Sequence, residues 1–220
     1  MAPIIQVIGC LNADRVLATP RFPDPGETIT SSSYFTSAGG KGANQAVVCG
    51  RMSRAKQTGT KISKSDVVFE MIGAVGVLDG HFSALIKSTR PESKSSRTHT
   101  RILIVFRAKS VWYSAADGGS SGPSDRVLHF TYDIAAAPVS RVLDTTAAGD
   151  TFVGAYTVRV ARWREQRRAQ GKAEQDVADN EKAYWHKTIM DEEMHLAACA
   201  SAQAVERQGA MDIIPFDDEI

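Results

Sequence analysis

Apolar and polar positions along the chain alternate between two periods. Residues 3–11 form a β-rich apolar run ending in a turn signal at Gly9, which predicts a first strand of a parallel sheet buried on both faces. Residues 21–37, with prolines, Gly26 and serine and threonine runs around Ile29, Tyr34 and Phe35, predict short strands and turns. A glycine-rich stretch at 38–46 leads into Val47, Val48 and Met52 at helical spacing, a loop entering a helix. Residues 67–75 read as the next strand, 102–106 and 110–114 as a hairpin with Trp112 and Tyr113 on opposite faces, and 127–132 and 139–143 as further apolar strands. A helix follows through 154–163, and 194–205 is an alanine-rich helix suited to close packing on a sheet. Gly209 and Pro215 end the fold. Between these elements, 56–66 reads as an exposed insertion, 87–100 as a polar linker and 115–125 as a glycine-rich loop.

With 220 residues, 43% hydrophobic and 23% charged, the chain can bury one sizeable core, so a single domain over 1–220 is expected. Twenty-six basic and twenty-five acidic residues leave a net charge of +1, which draws the protein to neither nucleic acid nor a membrane and suits a small metabolite. Cys10, Cys49 and Cys199 are odd in number and far apart, without metal-site spacing. They predict buried thiols in a reducing compartment. The start lacks a basic leader and a spanning apolar run, so a cytoplasmic location is expected, with the nucleus also open.

The chemistry concentrates at 141–156, where Asp144 and two threonines run through Ala147, Ala148 and Gly149 to Asp150 and a helix. At a helix N-terminus, the amides of Ala147, Ala148 and Gly149 lack intrahelical acceptors and, with the helix dipole, form a site for negative charge. A carboxylate beside such a site suits removal of a hydroxyl proton as a phosphoryl group is passed to it. The plainer reading is that Asp144 to Thr146 cap the helix. Asn12 and Asp14, at the carboxyl end of the first strand, could fix sugar hydroxyls or simply form an Asx turn. The 39–46 loop is not a Walker loop, because Gly42 follows Lys41, and not a dinucleotide fingerprint, because position 45 is Gln. The arginines at 159, 162, 164, 167 and 168 around Trp163 are followed by acidic residues from 174 to 181, which predicts a solvated helix with salt bridges. His81 is assigned no role.

Asp144-Thr-Thr-Ala-Ala-Gly-Asp150-Thr-Phe152 closely resembles the C-terminal signature of the ribokinase-like (PfkB) carbohydrate kinases, and Gly39-Gly-Lys-Gly-Ala-Asn-Gln-Ala46 resembles their N-terminal one. The flanks at 25–28 and 208–215 place the resemblance nearest the family's ribose kinases. It implies a three-layer α/β/α fold with a mainly parallel sheet and a partial β lid, drawn in part from 21–37. It implies transfer of the ATP γ-phosphate to the primary hydroxyl of ribose, with Mg2+ and K+ as ions. Asp150 would be the general base, Ala147, Ala148 and Gly149 the anion hole, and Ala148 and Gly149 nucleotide contacts. Asn12, Asp14, Gly40, Lys41 and Asn44 would hold the sugar. Asp144, Thr146, Ala204, Arg207 and Gly209 would hold a monovalent cation. A homodimer through the lid is also implied, weakened by missing sequence.

The resemblance breaks after Ile86. The linker at 87–100 stands where a typical member has several strand–helix units, half of the lid and an Asn-x-x-Glu motif associated with magnesium. Val77 and Leu78 replace the acidic pair of the turn after Gly73, and Arg107 and Ser110 replace glycines of a nucleotide turn. Weakened phosphate transfer and exposed sheet surface are therefore expected. Ala147 stands where glycine is commonest, which is tolerable only if its φ is negative.

Overall fold

The structure, a computed structural model, describes residues 2–56, 63–73, 100–106, 110–117, 128–172, 181 and 184–220. The turn at 74–80, His81, the linker at 87–99, Arg107 and the loop at 118–127 lie outside the described residues.

β1 (Ile4–Ile8) pairs in parallel with β4 (Val68–Ile72), Ile4 opposite Val68. The expected burial of both faces is corrected. Ile5 and Val7 point into the core, while Ile8 is 76% exposed and Ile4 and Ile72 are also exposed. A parallel strand is covered on both sides only when helices pack on both faces of its sheet. Here α1 (Lys41–Met52) and α2 (Ala148–Ala169) cover one face, and the other presents isoleucines to solvent.

β2 (Asn12–Ala18) and β3 (Ser33–Gly39) form an antiparallel hairpin, Asn12 opposite Gly39, so the lid strand expected within 21–37 pairs with a strand at 12–18, where the sequence pattern predicts a strand end or an Asx turn. β5 (Thr100–Phe106), β6 (Ser110–Asp117) and β7 (Leu128–Ala135) form an antiparallel sheet in that order. The hairpin at 102–114 is present, and its second strand takes in 115–117, which the glycine-rich composition downstream had suggested was loop. Residues 139–143 are not a strand. Their backbone instead leans on the end of α3 (Met190–Val205), with the Leu143 N–H donating to the Val205 carbonyl at 2.8 Å.

α3 is entered through a π-helical turn at Trp185–Ile189. Its small residues Ala197, Ala200 and Ala204 are fully buried, and the helix packs chiefly along α2 rather than on a sheet. α1 and α2 cross tightly at Gly154, where a Cβ would stand 2.5 Å from Val48 Cβ. Only Cys49 of the three cysteines is buried. Burial pushes its thiol up to about 12, whereas Cys10 is exposed and Cys199 half-buried. Among the described residues no helix is long and apolar enough to cross a membrane.

The α2 arginines are largely paired: Arg159 with Glu193, Arg162 with Asp66 and Asp217, Arg167 with Glu181, and Arg168 with Glu165. Asp66, at the end of the 56–66 stretch, is thereby tied down. The fold does not end at Pro215, because Phe216 lies under the Arg51 guanidinium at 5.2 Å and a 3-10 turn at Asp217–Glu219 docks beside it. Glu219 accepts from the Lys56 ammonium at 2.7 Å and from the Phe216 N–H at 2.9 Å, and Arg207 lies 3.5 Å away. Burial opposes ionisation of Glu219, but Lys56, the Phe216 N–H and Arg207 outweigh it and bring the carboxyl down to about 2 from an ordinary 4.5. A depressed folded-state value stabilises the fold above the unfolded value and loses that contribution as pH falls from 4.5 toward 2. Urea unfolding of Glu219→Gln should therefore show a shallower loss of stability across that window than the parent. Identical pH dependence would refute the assignment.

Candidate active site

The N-terminus of α1 is bolted to the carboxyl end of β1 by backbone contact. A Cβ on Gly42 would lie 2.8 Å from the Cα and carbonyl carbon of Gly9, and the Ala43 N–H donates to the Cys10 carbonyl at 3.1 Å. Gly40 precedes the helix at φ 94°, where a side chain would stand 2.7 Å from the Cys10 oxygen, so only glycine fits the turn. This puts Lys41 on the first helical position and Asn44 one turn in. Asn12 and Asp14 lie on β2 facing the same loop. The Asp14 carboxylate covers Gly39 so closely that a Cβ there would meet its Oδ2. Asn12, Asp14, Gly40, Lys41 and Asn44 are thus gathered around the loop that joins the lid hairpin to α1.

Asp150 sits in the first turn of α2, where the helix dipole favours a carboxylate. Its two oxygens are held by consecutive residues of α1. Asn44 Nδ2 donates to Oδ2 at 2.9 Å and Gln45 Nε2 to Oδ1 at 3.1 Å. The sequence had marked Gln45 only as breaking a dinucleotide pattern, and its adjacency to Asn44 was the sole available signal. Asn44 is buried, and its Oδ1 has no hydrogen-bond partner. A buried amide oxygen left this way has an uncompensated desolvation cost, which a donor such as a hydroxyl would relieve.

The helix-cap reading of Asp144 to Thr146 is corrected. No side chain caps α2. Asp144 Oδ1 accepts from the Thr146 N–H at 2.8 Å and Oδ2 from the Gly209 N–H at 3.2 Å, and the Asp144 N–H donates to the Val205 carbonyl at 3.3 Å. Burial works against the charge of Asp144, but donation from Thr146 and Gly209 holds its carboxyl below the ordinary value. The loop after α3 is therefore joined to the helix start by direct hydrogen bonds. Of the other groups named for a cation, the Ala204 carbonyl accepts from the Arg207 N–H at 3.1 Å, and the Arg207 guanidinium donates to the Ile213 carbonyl at 3.2 Å. Among the described residues no three His, Cys, Asp or Glu side chains cluster closely enough to hold a metal ion.

The uncapped helix start leaves its leading amides without intrahelical acceptors, with Ala148 making a long 3.3 Å bond to the Thr145 carbonyl. Ala147 adopts φ 62° and is the one described non-glycine residue at positive φ. Thr151 clamps it: both its N–H and its Oγ donate to the Ala147 carbonyl at 2.8 Å. A left-handed alanine costs about 1–2 kcal/mol, partly offset by glycine's greater unfolded-state entropy. Ala147→Gly should therefore raise stability by about 0.5–1 kcal/mol in chemical denaturation. A loss of stability would contradict the strained conformation.

No family model matches the chain. A 52-residue stretch is 48% identical to the ribokinase of Haemophilus influenzae, covering 24% of this chain and 17% of that protein. The chain's match thus spans well under two thirds of the curated relative's length. Ribokinase from Cryptococcus neoformans var. grubii, solved with ADP, superposes over 100% of this chain and 98% of its own with a TM-score of 0.56 at 15% identity. A nucleoside kinase from Methanocaldococcus jannaschii, described as an archaeal member of the ribokinase family, superposes over 100% and 96% with a TM-score of 0.55 at 12% identity. The chain thus has a ribokinase-like α/β fold, and its local identity is to ribokinase over a short stretch.

Proposed function

We propose that the chain is a sugar kinase that transfers the γ-phosphoryl group of ATP to the primary hydroxyl of D-ribose, giving ribose 5-phosphate. The observation that carries this reading is Asp150, clamped by Asn44 and Gln45 beside the uncapped amides of Ala148 and Gly149. Each carboxylate oxygen has a second lone pair, so Asp150 can still accept the hydroxyl proton while the amide clamp fixes its direction. The amides of Ala147, Ala148 and Gly149 supply fixed dipoles for the charge on the transferring group and the nucleotide phosphates. Asn12, Asp14, Gly40, Lys41 and Asn44 orient the sugar, with Asn44 Oδ1 accepting from a hydroxyl. Mg2+ would be carried by the ATP phosphates. A monovalent cation such as K+ would sit behind the anion hole among Asp144, Thr146, Ala204, Arg207 and Gly209, where the hydrogen bonds already draw the two loops together. The relatives include a nucleoside kinase, so a nucleoside is the competing acceptor.

A second reading rests on the bare isoleucine face of β1 and β4. In it the chain keeps sugar recognition but transfers phosphate poorly, because an incomplete cover admits water to the site. The lid hairpin adds Leu17 and Tyr34, cross-strand partners that are both exposed, as the surface for the proposed homodimer.

The test is to titrate ribose and an ATP analogue separately by calorimetry with magnesium and potassium present, and to assay ribose phosphorylation. Asp14→Ala should weaken ribose binding by about 1–3 kcal/mol through lost hydrogen bonds to hydroxyls. Unchanged affinity in that variant would exclude the pocket. Ribose binding without turnover would select the second reading.

A further inference from the structure

The start of α2 is tied to α3 as well as to α1. The Ser201 hydroxyl donates to the Ala148 carbonyl at 2.9 Å, across 53 residues of chain. A serine inside a helix commonly turns its hydroxyl back to a carbonyl of its own preceding turn. Ser201 instead reaches another helix, and the carbonyl it meets lies in the first turn of α2. One turn further along α3, the Val205 carbonyl receives the N–H groups of Leu143 and Asp144. The last two turns of α3 thus hold both the segment leading into α2 and the first turn of α2 itself. They are a firm support, because Ala200 and Ala204 are fully buried.

The acceptor matters because of the amide it is joined to. The Ala148 carbonyl and the Gly149 N–H belong to one planar trans peptide and point in opposite directions, so a bond that fixes the oxygen also fixes the N–H. Gly149 is exposed, and its N–H is among the leading amides of α2 that have no intrahelical acceptor. A hydrogen bond to a carbonyl also polarises its peptide and strengthens the N–H as a donor, by about 10–30% per bond. The preceding peptide is fixed in the same way, since the Ala147 carbonyl receives two bonds from Thr151 at 2.8 Å. Its N–H, on Ala148, already donates to the Thr145 carbonyl at 3.3 Å, which leaves the Gly149 N–H the freer of the two. We propose that Ser201 is a positioning residue for phosphoryl transfer: through the 148–149 peptide it aims the Gly149 N–H at a nucleotide phosphate oxygen and strengthens it as a donor. This role rests on the kinase reading of the site.

The test pairs turnover with binding. Ser201→Ala should keep the fold, since alanine favours a helix at least as well as serine. With ATP, magnesium and potassium present, its kcat for ribose phosphorylation should fall about three- to tenfold, the usual range for one hydrogen bond, with the KM for ribose unchanged. Calorimetric titration with the non-hydrolysable β,γ-imido analogue of ATP should show a similar loss of affinity, and titration with ribose none, because Asn12, Asp14 and Asn44 are untouched. Ser201→Thr retains the hydroxyl and should restore both values. A Ser201→Ala variant with parental kcat and parental analogue affinity would overturn the inference alone. So would ribose and analogue affinities that fall together, the mark of a general shift of the site. A parent that binds ribose yet neither binds the analogue nor turns over would remove the kinase reading and this inference with it.

Discussion

Asp150→Asn is expected to lower ribose phosphorylation by on the order of a hundredfold or more, the usual loss on removing a positioned general base. The substitution is not structurally silent. Asn44 Nδ2 and Gln45 Nε2 each donate to one oxygen of Asp150. An asparagine there offers one acceptor and one donor group, so one of those two amides would face an N–H instead of an oxygen. A stability loss of about 1–3 kcal/mol should accompany the loss of turnover. Thermal unfolding must therefore be followed beside single-turnover phosphorylation, with the assay run well below the variant's midpoint. A folded Asp150→Asn variant that phosphorylates ribose at the parental rate would remove Asp150 from the chemistry.

Gly42→Ala is expected to be damaging far beyond its size. The new Cβ would stand 2.8 Å from the Gly9 Cα and carbonyl carbon and from Met71 Cε. The methionine can swing aside, but the Gly9 backbone is held by its N–H bond to the Ile72 carbonyl at 3.0 Å. Overpacking of this kind costs about 1–3 kcal/mol, which is several degrees in midpoint for a chain of this length at about 2–4 °C per kcal/mol. The effect on chemistry should be larger, because α1 can relieve the clash only by moving away from β1, and Asn44 and Gln45 move with it. A displacement of about 1 Å in a catalytic clamp can cost on the order of a hundredfold in rate. Calorimetric scanning and a ribose phosphorylation assay would measure both effects. A variant with parental midpoint and parental turnover would show that the contact is not the fulcrum described here.

The candidate site was legible in sequence to the extent that its chemistry is written in consecutive residues. Gly39 to Ala46 and Asp144 to Phe152 each encode a loop entering a helix, and the requirements of such a loop, small residues, a conformationally free glycine and a carboxylate in the first helical turn, are local. What those segments do to one another was not legible. Gln45 lies 105 residues from Asp150, and no periodicity within either helix indicates that they meet. Asp144 could as well have capped its helix. Its actual partners include Gly209, 65 residues away, and a local pattern cannot choose between a near acceptor role and a distant one.

The sequence by itself therefore determined the first strand, the hairpin at 102–114, the two loop-led helices after Gly40 and Ala147, and the place of Asp150 in a first helical turn. These follow from turn chemistry, side-chain period and short-range steric rules, which act over a few residues. Only the tertiary structure decided that Ala147 is held left-handed by Thr151, that α3 spends its alanine stripe on α2, that 139–143 is not a strand, and that one face of β1 stays bare. It alone buried Arg167 against Trp163, where a run of arginines had predicted solvated surface. In each of these cases the outcome depends on which surfaces remain to be covered once the chain has folded back on itself, and burial is a property of the assembled layers rather than of any segment within them.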